Sequence, residues 1–175
     1  MICTPFLFVQ ERGYMSIKGV NIILSGSFSV RINCLTETRR DLMVTLDRFT
    51  EIVEEELALL PEYAHEELNG GVLVDPKVYM HPARLADDLY ILGTYTTDHV
   101  FGKQIVLYYG SFSVTGKNRT EDTAREQIRT TLRHEFLHHL ETRAGLFGKG
   151  TLIEEDTDRM RRYYLAHREP EEDDK

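Results

Sequence analysis

The spacing of hydrophobic residues predicts an amphipathic helix where the regular patterning of the chain begins. From Thr45 to Leu60, apolar side chains recur every three or four positions, which is the period of one helix face. This helix should end at Pro61, because proline lacks the N–H group that a helix interior requires. The following stretch, "PEYAHEELNGG", is typical of a short second helix that is stopped by its asparagine and two glycines.

Three later stretches favour β-strands. The segment "GVLV" has the composition of a short buried strand, and the stretches "LYILGTYT" and "KQIVLYYGSF" are rich in β-branched and aromatic residues. The two longer stretches are separated by "TDHVFG", in which Gly102 suits a turn. They are therefore predicted to form an antiparallel pair.

A long helix is predicted from about Arg119 to Ala144. Asn118 followed by Glu121 resembles a capping signal, and Gly145 should stop the helix at its other end. A final helix is predicted from Glu154 to Leu165. Together these elements predict an α+β fold, in which a compact domain combines a small, largely antiparallel sheet with one long helix.

The charge pattern indicates a boundary near Met43. The segment before it has five basic and three acidic residues, whereas the rest of the chain has 16 basic and 26 acidic residues. The first segment could be an extra pair of strands, a poorly ordered arm, or translated sequence that precedes a true start at Met15 or Met43. The predicted division is an N-terminal extension, a single domain and an acidic tail, over residues 1–42, 43–166 and 167–175.

The overall composition narrows the classes of partner. A net charge of -8 with interleaved basic residues argues against nucleic acid as the main ligand. No apolar run is long enough to span a bilayer and the N-terminus lacks the features of a signal peptide, so we expect a cytoplasmic protein that does not bind membranes. Cys3 and Cys34 are the only cysteines, so a metal site in the domain would need histidines and carboxylates.

The long predicted helix carries such residues in the sequence "HEFLHH". His134 and His138 are four residues apart and therefore project from the same helix face, where both can bind one zinc ion. Glu135 lies about 100° round the helix, outside the ligand set but close enough to act as a general base toward an attacking water. The core stripe of the same helix should consist of apolar residues spaced by four, namely Ile128, Leu132, Phe136 and Leu140.

Four stretches resemble the small bacterial zincin-like metallopeptidases, also called minimal zincins. They are "LPEYAHEELNGGVLV", "HPARLADDLYILGTYTTD", "IVLYYGSF" and "LRHEFLHHLETRAG", within roughly Leu46 to Asp158. The resemblance implies a zincin-like α+β fold, one active-site helix, a zinc site, and peptidase activity on a peptide or protein substrate. Many members place glycine and then aspartate after the second histidine, and the aspartate completes the metal site. Here Glu141 and Ala144 occupy those positions.

Two alternatives remain for the third zinc ligand. Glu141 is three residues beyond His138 on the same helix face, and helical side chains lean toward the N-terminus, so it is the preferred candidate. Alternatively, the chain folds back after Gly145 and brings up an acidic residue of the next helix. The candidates for that arrangement are Glu154, Glu155, Asp156 and Asp158.

These features predict a zinc-dependent hydrolase, in particular a metallopeptidase, with Glu135 as its general base and His134, His138 and Glu141 as its metal ligands. The alternative is a non-catalytic module that keeps the zincin fold and the metal but only binds a peptide or protein. The tyrosines of "IVLYYG" could polarise a substrate carbonyl, although aromatic packing is the simpler interpretation. The sequence leaves the oligomeric state open.

Overall fold

The computed structural model describes residues 4–9, 44–115 and 120–168. Their elements are, in chain order, β1 (Thr4–Val9), α1 (Leu46–Leu57), α2 (Glu62–His65), β2 (Gly71–Asp75), β3 (Leu89–Asp98), β4 (Gly102–Tyr108), α3 (Tyr109–Thr115), α4 (Glu121–Arg143) and α5 (Leu152–Ala166). Helices and a small sheet share one structure, which confirms the predicted α+β class. Among the described residues, no helix combines the length and apolar composition needed to cross a lipid bilayer.

The sheet has four strands in the order β1-β3-β4-β2. Strand β3 pairs antiparallel with both β1 and β4, whereas β2 pairs parallel with β4. The turn between β3 and β4 is held by Asp98, whose Oδ1 accepts hydrogen bonds from the N–H groups of Val100 and Phe101 at 2.6 and 3.0 Å. Gly102 has a φ of 78°, which a residue with a side chain rarely adopts. The predicted antiparallel pair and its glycine turn are therefore confirmed.

The hydrophobic core lies between this sheet and helices α1 and α4. Helix α4 packs on β3 and also contacts β1 and β4, while α5 contacts α4 and β1. The predicted core stripe of α4 is buried at Ile128, Leu132 and Phe136, and Leu140 is half-buried. These residues pack with Phe49, Ile52 and Val53 of α1 and with Leu92, Tyr95, Ile105 and Leu107 of the sheet.

Helix α4 ends in a way that reverses the chain. Gly145 has a φ of 68°, its N–H donates to the carbonyl of Thr142, and the N–H of Leu146 donates to the carbonyl of Glu141. This pair of bonds is a Schellman motif, which satisfies the last carbonyls of a helix and turns the backbone. The predicted stop at Gly145 is confirmed, and the reversal leads directly into α5.

The structure corrects the predicted extent of three elements. The stretch "KQIVLYYGSF" is not strand throughout, because β4 ends at Tyr108 and helix α3 begins at Tyr109. Ser111 of α3 hydrogen-bonds to the backbone of Tyr79, a tertiary contact that overrides the strand preference of the aromatic run. Helix α4 is capped by Thr120, while the predicted cap Asn118 lies outside the described residues. Helix α5 begins two residues before the predicted Glu154.

Part of the predicted N-terminal extension belongs to the sheet. Strand β1, Thr4–Val9, pairs with β3 in a register that places Phe6 opposite Gly93 and shifts between Phe6 and Leu7. The sequence alternatives for the rest of this segment, an extra pair of strands among them, fall on residues 10–43, which lie outside the described residues. The predicted boundary at Met43 and most of the acidic tail lie outside the described residues.

Candidate metal centre

His134 and His138 form the fixed part of the site. Both belong to α4, and their rings lie 4.8 Å apart between centroids at an interplanar angle of 82°. Their Nε2 atoms are 3.2 Å apart. Only 9% of the surface of His134 and 3% of that of His138 is exposed, so both imidazoles are buried.

Asp156 of α5 completes the cluster. Its Oδ2 lies 3.2 Å from the Nε2 of His134 and 2.9 Å from the Nε2 of His138. Like the histidines, Asp156 is buried, with 8% of its surface exposed. Three potential ligand atoms from two helices therefore converge on one point, and within the described part of the chain this is the one group of histidine, cysteine and acidic side chains that could hold a metal ion.

The geometry of these three atoms fits a small divalent cation. Zinc bound tetrahedrally at about 2.0–2.1 Å from each ligand holds neighbouring ligand atoms about 3.3 Å apart. The three separations in the cluster, 2.9, 3.2 and 3.2 Å, are close to that value. Donor atoms this close together could share one metal ion, and without an ion the imidazole N–H groups can donate to the carboxylate. Two histidines and a carboxylate are also a donor set that catalytic zinc sites use.

Asp156 is held in its ionised form by its neighbours. Burial raises the pKa of its carboxyl group, but hydrogen bonds from His134 and His138 outweigh burial and lower the pKa to about 2. The second oxygen, Oδ1, lies 3.5 Å from the guanidinium of Arg159, one turn further along α5. The carboxylate is thus oriented from both sides, with Oδ2 directed at the histidines.

The structure revises the preferred third ligand. The carboxylate of Glu141 does not join His134 and His138, because both of its oxygens lie 3.2 Å from the backbone N–H of Leu152 at the start of α5. Asp156, one of the four alternatives on the following helix, takes that place. The preference for Glu141 came from the geometry of α4 alone, whereas the reversal at the end of α4 brings a second helix against the histidines.

Glu135 follows His134 in α4, and its side chain lies between α4 and the sheet. It is completely buried, and it packs against Gly93 of β3. A Cβ atom added at Gly93 would lie 3.2 Å from both Cγ and Oε1 of Glu135, and 2.8 Å from Cγ2 of Thr131. The absence of a side chain at position 93 therefore makes room for the glutamate. Sequence reasoning missed Gly93, although an isolated glycine within a strand is itself a sign of close approach.

His139 is a structural neighbour of the site. Its Nε2 donates to the carbonyl of Glu66 at 2.9 Å, and its Nδ1 faces the hydroxyl of Tyr95 at 3.4 Å. The ring is fully buried, and burial lowers the pKa of its imidazole. These contacts tie α4 to the segment after α2 and to β3, and they direct the ring away from the cluster.

The two tyrosines that end the β4 stretch are half-buried and pack against other aromatic rings. Tyr109 donates its hydroxyl to the carbonyl of Val44 at 2.9 Å and lies edge-on to Phe49. Tyr108 shares a hydrogen bond with Thr94, and its ring packs against that of Tyr79 with a tilt of 41°. These contacts favour the simpler interpretation of aromatic packing over a role toward substrate.

Comparison with known proteins adds a similar structure but no activity. No protein-family model matches the sequence, and no curated protein matches it. The chain is similar to a solved structure that is described as a conserved hypothetical protein from Thermo thermophilus. The two are 31% identical over 58% of this chain and 98% of the other, with a TM-score of 0.48. That description names no activity, so the function of this chain must be inferred from the site itself.

Proposed function

We propose that this protein is a zinc-dependent hydrolase that cleaves peptide bonds in a peptide or protein substrate. One observation carries the proposal: the donor atoms of His134, His138 and Asp156 converge at 2.9–3.2 Å, and the residue that follows His134 in the same helix is the buried Glu135. A site that only held a metal for structural reasons would not need an acidic residue at that position.

The residues of the site have separate roles. His134, His138 and Asp156 would hold the metal, which when bound polarises a substrate carbonyl and increases the acidity of a water molecule. Glu135 takes the proton of the attacking water and later delivers it to the leaving amine. Gly93 keeps the Glu135 side chain between α4 and β3, where burial excludes competing bulk water.

Metal content tests the ligand set. Replacing both His134 and His138 by alanine should abolish stoichiometric zinc binding, because a single carboxylate remains. The control is His139→Gln, which keeps a donor for the carbonyl of Glu66 and should keep the zinc. Zinc is measured by mass spectrometry on purified protein. Equal zinc content in the double variant and the parent would refute the site.

Glu135→Gln tests the chemistry. The substitution preserves size but removes the basic carboxylate, so zinc content should stay near that of the parent while peptide hydrolysis falls by roughly 10²–10⁴-fold. Hydrolysis is followed with a peptide library, with chelator-treated protein as the blank. If zinc remains and neither the parent nor the variant cleaves any peptide, the non-catalytic binding module becomes the better interpretation.

A further inference from the structure

Asp156 is the member of the metal cluster whose position depends on how two helices meet. His134 and His138 are fixed relative to each other by the backbone of α4, whereas Asp156 belongs to α5, which follows the reversal at Gly145. A shift of α5 by an ångström would separate Oδ2 from both imidazoles. Some contact between α4 and α5 near Asp156 must therefore hold the two helices in register.

The start of α5 lacks a cap of its own. The N-cap residue Thr151 makes no capping hydrogen bond with its side chain, and its hydroxyl donates to the carbonyl of Gly148 at 2.6 Å. The first N–H groups of a helix have no partner within the helix and carry partial positive charge. A carboxylate from elsewhere is a favourable partner for them.

Glu141 supplies that carboxylate from α4. Both of its oxygens lie 3.2 Å from the N–H of Leu152, the first residue of α5. Glu141 is three residues beyond His138, and Leu152 is four residues before Asp156. One turn of α4 and one turn of α5 therefore connect this contact to the metal cluster on each side.

The far end of α5 is fixed to a different part of the molecule. The hydroxyl of Tyr163 accepts from the N–H of Leu85 at 2.8 Å and donates to Asp88 at 3.0 Å. These contacts anchor the last turns of α5 to the segment before β3, two turns beyond Asp156. The contact made by Glu141 controls the first turn, which is the one next to Asp156.

We propose that Glu141 is a positioning residue that caps α5 from α4 and thereby places Asp156 against His134 and His138. This inference rests on the proposed metal site. It assigns Glu141 a part in metal binding without direct contact to the ion. The carboxylate works as a hydrogen-bond acceptor and not as a ligand.

The test compares two substitutions of equal length. Glu141→Met keeps the size and helix propensity but has no comparable acceptor for the Leu152 N–H, so zinc affinity should fall roughly 10–100-fold, as for other residues that orient a ligand. Glu141→Gln retains an acceptor and should stay within about fivefold of the parent, since only the charge at the helix start is lost. Affinity for Zn²⁺ is measured by competition with a chelating dye. A loss with Gln as large as that with Met would show that Glu141 is a ligand.

A double-mutant cycle shows whether Glu141 acts through Asp156. In an Asp156→Ala background, adding Glu141→Met should cause little further loss of zinc affinity, because no carboxylate is left to position. Additive losses would overturn the proposal. The matched control is Glu154→Ala, which removes an acid that accepts from the N–H of Gly150 within the same turn but does not connect α5 to α4. It should leave zinc affinity unchanged.

Amide hydrogen exchange on the metal-free protein gives a readout that is independent of zinc. The Leu152 amide should exchange faster in Glu141→Met than in the parent, while amides in the core of α4 keep their protection. Unchanged exchange at Leu152 would overturn the proposal. A parent that binds no zinc at all would overturn the proposed function together with this inference, whereas zinc binding that is equal in the parent and Glu141→Met would overturn the inference alone.

Discussion

Gly93 is the residue of β3 that faces the side chain of the proposed general base, Glu135. It sits at the centre of β3, opposite Leu107 of β4, and the space left by its missing side chain is filled by Thr131 and Glu135 of α4. The close approach of helix to strand thus depends on a single absent methyl group. Glu135 is fully buried at this contact.

Gly93→Ala should disturb both stability and catalysis. The new Cβ would lie 2.8 Å from Thr131 Cγ2 and 3.2 Å from Glu135 Oε1, so we expect a loss of about 1–3 kcal/mol in unfolding free energy and a larger fractional loss in hydrolysis than in zinc content. Chemical denaturation and the peptide assay measure the two effects.

Thr131→Ser separates these two effects. The substitution removes the Thr131 methyl group, which would lie closest to the new Cβ of Gly93→Ala. It keeps a hydroxyl that can donate to the carbonyl of Gln127. The Gly93→Ala/Thr131→Ser double variant should recover stability and remain impaired in hydrolysis, because the contact with Glu135 persists. Full recovery of hydrolysis would show that Gly93 has no specific role toward Glu135.

At the scale of the elements, helix α4 is held in place by an ionic contact with α1. Glu56 of α1 is buried and accepts from Nε and Nη2 of Arg129 at 2.7 and 2.9 Å, and from Arg125 at 3.3 Å. A carboxylate and a guanidinium that are paired through two hydrogen bonds fix the relative orientation of the two side chains as well as the distance between them. The contact lies on the side of α4 that faces α1, before the turn that carries His134.

Glu56→Gln should destabilise the protein in a pH-dependent way. Hydrogen bonds from Arg129 lower the pKa of Glu56, more than burial raises it, from an ordinary value of 4.5. A carboxyl group with a lowered pKa stabilises the fold above its unfolded pKa, and this contribution is lost as the pH falls through the folded pKa. The variant should lose about 1–2 kcal/mol of unfolding free energy at pH 7, and the difference from the parent should shrink as the pH drops below 4.5.

Denaturation of both proteins at several pH values measures this difference. Glu126→Gln is the matched control, since Glu126 pairs with the same Arg129 at 2.8 Å but its side chain is 66% exposed. It should change stability little at any pH. A constant difference between Glu56→Gln and the parent from pH 7 to pH 3 would contradict the proposed ionic contribution.

For the whole molecule, the candidate metal joins two helices that are otherwise linked by a short reversal and a few contacts. His134 and His138 belong to α4 and Asp156 to α5, so an ion bound by all three stabilises the docked arrangement over any state in which α5 is released. Metal binding and folding should therefore be coupled.

Thermal unfolding in the presence of Zn²⁺ tests this coupling. At a free zinc concentration about 100 times the dissociation constant, the folded state gains about 2.7 kcal/mol, which should raise the Tm by roughly 5–15 °C. Excess chelator should reverse the shift. Asp156→Ala should show a much smaller increase at the same zinc concentration. An equal increase in that variant would mean that zinc binds elsewhere.

The local pattern of the sequence was enough to predict most elements. The periodicity of α1 and α4, the glycine turn between β3 and β4, and the stop at Gly145 all depend on neighbouring residues, so they can be recognised without a structure. The start of α3 could not, because the run "YYGSF" has the composition of a strand. It becomes helical where Ser111 and Tyr109 meet partners far away in the chain.

In the candidate site, too, one part can be predicted from the local sequence and another part cannot. The relative position of His134, Glu135 and His138 follows from the helix that contains them, so the sequence by itself determined it. The third donor could not be chosen in this way, because Glu141 and Asp156 are both acidic and both close in sequence. Only the tertiary structure decided between them: the turn at Gly145 docks α5 on α4, directs Glu141 to the start of α5, and brings Asp156 to histidines 18 and 22 residues earlier in the chain.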